Sequence, residues 1–162
     1  KYPEVLKKIV DKGHEIGTHS KTHPKMSRLS VSKIEDELKS SVEAIEKITD
    51  KKVTLFRPPF GDYDDELIET AEKLGLKTIQ WSVDSLDWKD LSAEQIAVRV
   101  IGKTKSGSII LMHNNGLHTL DSLPLIFTDL QRKGFVFRPI SELIYTEDYE
   151  ITPDGTQRKI KN

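Results

Sequence analysis

Ser108-Ile-Ile-Leu-Met-His113 is the stretch on which the fold turns. Five residues that are nearly all apolar make the kind of strand that is buried on both faces, as in a sheet sandwiched by helices. The histidine that ends the run can sit at the edge of a dry strand with only the tip of its ring near solvent. That setting suits a general acid or base whose pKa is set by a partner. A buried, hydrogen-bonded structural histidine is the plainer alternative.

Outward from this strand, helices and strands alternate in both directions. Upstream, Ser92 and Gln95 form a capping box for a helix that runs to Lys103, and a strand is expected over residues 76–83. Before it, Leu67, Ile68, Ala71 and Leu74 mark a helix closed by Gly75, and residues 53–56 form a strand that runs into Arg57-Pro-Pro-Phe-Gly61. Ile34, Leu38, Val42, Ile45 and Ile48 recur at helical spacing up to Thr49, with Ser32 and Glu35 as the expected capping box. A strand at residues 14–18 and a helix at residues 2–12, with Pro3 in its first turn, complete the N-terminal side. Downstream, a helix over residues 120–133 ends at Gly134, a short strand follows at residues 135–137, and Ser141 caps a last short helix. From Thr146 the chain is polar and aperiodic, so residues 1–145 read as the domain and residues 146–162 as a loosely held tail.

Regular alternation, with helices long enough to cross over between parallel strands, makes the class α/β. The unusual residues all follow strands: His19 and His23, residues 57–61, residues 84–88, and His113. Four such loops converge on one mouth when the strands share direction and close around it, which favours a barrel. About five strands are expected, fewer than a closed barrel of this kind has. A chain that opens in a helix feeding a strand also reads as though it begins mid-domain, so further sequence upstream of Lys1 is expected.

Composition narrows the partners. With 162 residues, 36% hydrophobic and 31% charged, there is material for a substantial core. A net charge of −1 gives no electrostatic footprint for nucleic acid or an anionic membrane, and a neutral ligand fits better. No cysteine is present, which excludes disulfides and thiolate metal ligands. No run approaches the length of a membrane span.

Gly13-His-Glu-Ile-Gly-Thr-His-Ser-Lys-Thr-His-Pro24 carries the metal signal. His19 and His23, four residues apart, can aim two imidazoles at one divalent ion if a loop turns between them. Pro24 argues against a long helix here. Two ligands do not complete a site, so a third must come from elsewhere. Arg57 stands in a loop stiffened by two prolines, where a fixed guanidinium suits holding a carboxylate and the N–H of Phe60 can donate to an oxyanion; a plain turn at Pro58, Pro59 and Gly61 is the alternative. A carboxylate at Asp87 can fix the tautomer of His113 while Trp88 walls the pocket. Asp84 has three readings: loop cap, substrate contact or metal ligand. His14 reads as a strand side chain, His118 as a surface residue, and Asn114 and Asn115 as mouth or turn.

Taken together, His19-Ser-Lys-Thr-His23, Arg57-Pro-Pro-Phe60, Asp84-Ser-Leu-Asp87-Trp88 and Leu111-Met-His113 resemble motifs two to five of the NodB-type polysaccharide deacetylases, carbohydrate esterase family 4. They occur in the family's order, and the subgroup most resembled is that of spore-forming bacteria and of peptidoglycan or chitin deacetylases. The resemblance implies a distorted (β/α) barrel that removes N-acetyl groups from an amino-sugar polymer with zinc, or with cobalt or another divalent ion. By position it makes His19 and His23 metal ligands, His113 the general acid, Asp87 its tuning partner and Arg57 the residue that orients the base. It gives Phe60 the oxyanion N–H, and Trp88 and Leu111 the acetyl pocket. It also implies an extracellular or envelope location and a polysaccharide partner.

Phe60 stands where the family often has tyrosine, a small change if only the backbone donates. The larger departure is the first motif, Thr-Phe-Asp-Asp, which supplies the general base and the third ligand and does not occur in this sequence. Its place is expected upstream of Lys1. Two other functions stay open at this point: a carbohydrate-binding domain that has lost the chemistry, and a deacetylase of a small acetylated molecule.

Overall fold

The structure is a computed structural model and describes residues 2–160. The described residues fall into two compact units, which divide between Gln80 and Trp81.

The first unit is built around a short parallel ladder. Helix α1 (Pro3–Asp11) starts on a proline that needs no amide partner, and helix α2 (Val31–Thr49) lays one apolar face on the core. Strand β1 (Leu55–Phe56) pairs in parallel with β2 (Lys77–Thr78), and helix α3 (Asp65–Lys73) crosses between them. On the other side of β1, Thr18 bridges Phe56 in parallel, donating its N–H to Leu55 O at 2.8 Å and accepting from Arg57 N at 3.0 Å. Gly17 lets the two chains approach so closely, because a Cβ there would lie 2.9 Å from Leu55 O. Met26, Ile34, Leu38, Val53, Phe56, Leu67, Ala71 and Leu76 form the core. Each of these side chains other than Ala71 stabilises the unit by about 1.5–3 kcal/mol on burial.

The second unit is a βαβ arrangement. Strand β3 (Val83–Asp84) pairs in parallel with β4 (Ile110–Leu111), and helix α4 (Ala93–Lys103) connects them. Helix α5 (Thr119–Arg132) packs on α4 over Val83, Ile96, Ala97, Val100, Ile126 and Leu130. The short α6 (Ile140–Leu143) precedes an antiparallel hairpin of β5 (Tyr149–Ile151) and β6 (Gln157–Lys159).

Several sequence expectations need correction. The strand expected over residues 76–83 is split: β2 pairs with β1, β3 pairs with β4, and at the break the N–H groups of Ser82 and Val83 share Ile109 O. The strand expected at residues 14–18 is a single bridge at Thr18. In the run 108–112 only Leu111 is buried, its neighbours being half-covered. Residues 135–137 form no strand; Phe135 lies against the α4–α5 core and the Phe137 ring meets Phe127 edge-on at 4.8 Å. Ser30, not Ser32, holds the N-cap position of α2 and makes no side-chain cap bond there, and Glu35 pairs instead with Lys39 one turn on, at 2.6 Å. Pro139, not Ser141, precedes α6. The segment expected as a loose tail carries the β5–β6 hairpin, turned by Asp154 and Gly155, with the Asp154 carboxylate accepting from Thr156 N. The Ser92–Gln95 capping box is present as read.

Candidate active site

In the first unit, the Thr18–Phe56 ladder sets His19 beside the start of the Arg57 loop. His19 Nδ1 lies 2.6 Å from Arg57 O. A carbonyl only accepts, so Nδ1 carries the proton and a neutral ring keeps its lone pair on Nε2, the form a metal ion takes. The chain then turns sharply. Ser20 and His23 both hold positive φ, 67° and 60°, and Ser20 Oγ accepts from His23 N at 2.9 Å. This loop returns the His23 ring to 4.8 Å from that of His19, centroid to centroid. The expectation of a loop rather than a helix therefore holds, with His23 in the left-handed region, where a β-carbon is costly.

A carboxylate outside the motif holds this loop. Glu37 on α2, only 9% exposed, accepts the N–H groups of Lys21 and Thr22, each at 2.8 Å on Oε2, and the Thr22 hydroxyl on Oε1. Burial pushes the Glu37 carboxyl up, but the Thr22 hydroxyl, the two N–H groups and the Lys21 charge outweigh it and hold it below the usual range.

Arg57 is half-buried, and burial lowers its pKa from the usual guanidinium value. Phe60 follows at φ 61°, exposed, with its ring edge-on to His23 at 4.6 Å. The loop is tied down by Gln80 Nε2, which donates to Gly61 O at 3.2 Å, and by Asp62 Oδ2, which accepts from both N and Oγ of Ser27.

In the second unit, Asp87 and His113 form a tight pair. Asp87 is 1% exposed. Its Oδ1 lies 2.7 Å from His113 Nδ1, while Oδ2 accepts from His113 N at 2.6 Å and from Thr119 Oγ1 at 2.7 Å. Ser85 Oγ in turn accepts from Asp87 N at 3.3 Å. Burial pushes the Asp87 carboxyl up, but the bonds from His113 N, Thr119, the His113 ring and Ser85 outweigh it, so it stays below its ordinary value. An ionised Asp87 keeps the proton on Nδ1, so that Nε2 is the ring's second proton site.

Asp84 takes the first of its three readings. Its Oδ1 caps Leu86 N at 2.9 Å in a loop where Leu86 has φ 55°. Trp88 is 54% exposed with the Lys89 ammonium 4.9 Å from its ring, and Leu111 is 9% exposed. His14, Asn114 and Asn115 are exposed, and His118 precedes α5 with Asp121 3.9 Å away. Sequence pattern does not assign Glu37, Thr119 or Ser85 to the site. Only Glu37 leaves a signal in the sequence, as an acid on the apolar stripe of α2, three residues after Ile34.

Gly116 completes the support of Asp87. A Cβ there would lie 2.2 Å from Thr119 Oγ1 and 2.9 Å from Asp87 O. Gly116→Ala is therefore expected to destabilise the protein by about 1–3 kcal/mol, as overpacking does, and to displace the Thr119 hydroxyl. Gly102→Ala, at a position with nothing within 4 Å, is the control and leaves the thermal midpoint at or above that of the wild type. Thermal melts of the two variants check this.

Comparison with known proteins places the chain. Residues 1–79 match the family model described as polysaccharide deacetylase. A peptidoglycan-N-acetylglucosamine deacetylase of Bacillus cereus is 35% identical over 147 residues, covering 88% of this chain and 68% of the relative. The chain belongs to the polysaccharide deacetylase family. The peptidoglycan-N-acetylmuramic acid deacetylase PdaA of Bacillus subtilis is 32% identical over 92% of the chain and 58% of its own length. Among solved structures, a CE4 family pseudoenzyme from Bacillus anthracis superposes with a TM-score of 0.85 at 37% identity, covering 88% of this chain and 50% of that one. The α/β class read from the sequence, the distorted (β/α) barrel of this family, is thereby shown, and the chain carries part of it. It spans 44, 58 and 54% of three curated relatives it matches.

Dependence on a divalent metal is general in the family. The donor chemistry present fits such an ion in part: two imidazoles side by side, one with its tautomer fixed for coordination. Among the described residues no group of three or more His, Cys, Asp or Glu gathers as a metal site. No helix among them is long and apolar enough to cross a membrane.

Proposed function

We propose that this chain contributes to metal-dependent hydrolysis of N-acetyl groups on an amino-sugar polymer of the peptidoglycan class. The observation that carries the reading is the two-point grip of buried Asp87 on His113, which holds the ring by Nδ1 and leaves Nε2 as its other proton site. Residues 1–145 are the deacetylase domain in this reading, with residues 146–162 outside it. The protein acts at the cell envelope, where its polymer is.

His19 and His23 would hold the ion, zinc being the choice that suits a pair of imidazoles. The chemistry such an ion supplies is polarisation of a carbonyl and a lowered pKa for water. The chain's own residues do the rest. Arg57 orients the carboxylate that serves as general base, which by family resemblance belongs to the first motif. The N–H of Phe60 donates to the oxygen that gains charge as water adds to the acetyl carbon. Trp88 and Leu111 wall the methyl group. His113 gives its Nε2 proton to the nitrogen as the C–N bond breaks, so that acetate and a free amine leave. Asp87 balances the charge of the imidazolium before that transfer.

A second reading has its own support in the 37% identity to a CE4 family pseudoenzyme: a domain that binds polymer without cleaving it. Acetate release by the full-length protein decides between them, measured on peptidoglycan, chitin oligomers and small acetylated sugars. Release from a polymer is expected, falling by about 100-fold or more on chelation, because several kcal/mol of charge stabilisation is lost, and returning with zinc. Polymer binding with no release from any substrate after zinc is restored selects the second reading. Release from the small sugars alone places the substrate outside the polymers.

A further inference from the structure

The histidine loop is held from behind by one carboxylate that belongs to no motif. Glu37 projects from the buried face of α2 and accepts three hydrogen bonds, all from residues 21 and 22, which lie between His19 and His23. Both loop amides, Lys21 N and Thr22 N, are met by one oxygen, Oε2. The turn they belong to is costly on its own. Ser20 and His23 are non-glycine residues at positive φ, a conformation that persists only when its surroundings impose it. The His23 N–H to Ser20 Oγ bond closes the turn locally, but nothing in that bond fixes the turn to the rest of the unit. Glu37 does so, and Lys21 Nζ adds a weak tie to the same helix through Asp36 at 3.6 Å.

We infer that Glu37 is the positioning residue of the paired histidines: it holds the strained loop so that both imidazoles face one ion before that ion arrives. The inference rests on the metal-binding reading of His19 and His23. Without Glu37 the turn relaxes, the two rings separate, and the ordering of the loop must be supplied by metal binding itself. The effect therefore falls on metal affinity. Residues that orient metal ligands in this indirect way typically change affinity by about 10- to 100-fold when removed.

Two substitutions separate positioning from bulk. Glu37→Met keeps side-chain length and helix propensity but removes both acceptors. Glu37→Gln keeps one carbonyl oxygen for the two amides, and its amide can donate to the Thr22 hydroxyl. Cobalt titration of the full-length protein, followed by visible absorption, gives the dissociation constant. Amide hydrogen exchange at Lys21 and Thr22 in the metal-free protein reports the loop.

The expected result is a cobalt dissociation constant raised about 10- to 100-fold in Glu37→Met, rescued to within about threefold in Glu37→Gln, with faster exchange at both amides in the former alone. Should Glu37→Met not fold, Thr22→Val removes one of the three donors from outside the helix and is expected to weaken cobalt binding in the same direction. Folded Glu37→Met, or failing that Thr22→Val, with wild-type cobalt affinity overturns the inference. His19→Ala distinguishes the two levels. If it leaves cobalt binding intact, the metal reading itself is wrong; if it abolishes binding while Glu37→Met does not, only the positioning role falls.

Discussion

His113→Ala lowers acetate release by about 10²- to 10⁴-fold, the range that a general acid or base contributes, while bound metal stays at the wild-type level. The separation of these two quantities follows from what His113 touches. Its ring meets Asp87 in the second unit, whereas the proposed ligands His19 and His23 sit in the first. Loss of the ring does not strip Asp87, which still accepts from the backbone N–H of residue 113 and from Thr119 Oγ1. The carboxylate stays satisfied in its buried position, so the variant folds and its loss of rate is a loss of proton transfer. Steady-state acetate assays and metal content by atomic spectroscopy check it. A fall in metal content to match the fall in rate would contradict the role.

His19→Ala has the opposite signature. It deletes one of two ligands and also the bond from Nδ1 to Arg57 O that fixes the ring. Metal affinity is expected to drop by at least about 100-fold, beyond the loss typical of removing a residue that only orients a ligand. Activity falls with it and returns only partly at high zinc. Thr18 keeps its ladder with Leu55 and Arg57 through backbone atoms alone, so the strand that carries the residue stays in place. Titration with zinc, with protein-bound metal and acetate release followed together, checks both.

Much of this was legible in the sequence because it rests on local pattern. The stripe of Ile34, Leu38, Val42 and Ile45, the Ser92–Gln95 cap and the terminating glycines at 75 and 134 each report their own neighbourhood, and the structure has helices where they point. His113 at the end of an apolar run, with an aspartate after the preceding strand, was readable for the same reason. The residues that hold the histidine loop and Asp87 in place were not. Glu37 reaches the loop across 15 and 16 positions and Thr119 reaches Asp87 across 32, separations that only the folded chain closes. Gly116 follows Asn114 and Asn115 and looks like an ordinary turn residue, yet what it provides is room for the Thr119 hydroxyl. Strands are shorter than pattern suggests because stretches such as residues 76–83 and 135–137 contain apolar residues that pack without joining a ladder.

The division of labour between the two histidine sites is tested most directly by measuring metal per chain and acetate release side by side in His19→Ala and His113→Ala. The account predicts a crossed pattern: metal and activity both lost in the first, activity alone lost in the second. Metal retained in His19→Ala, or lost in His113→Ala, would contradict it.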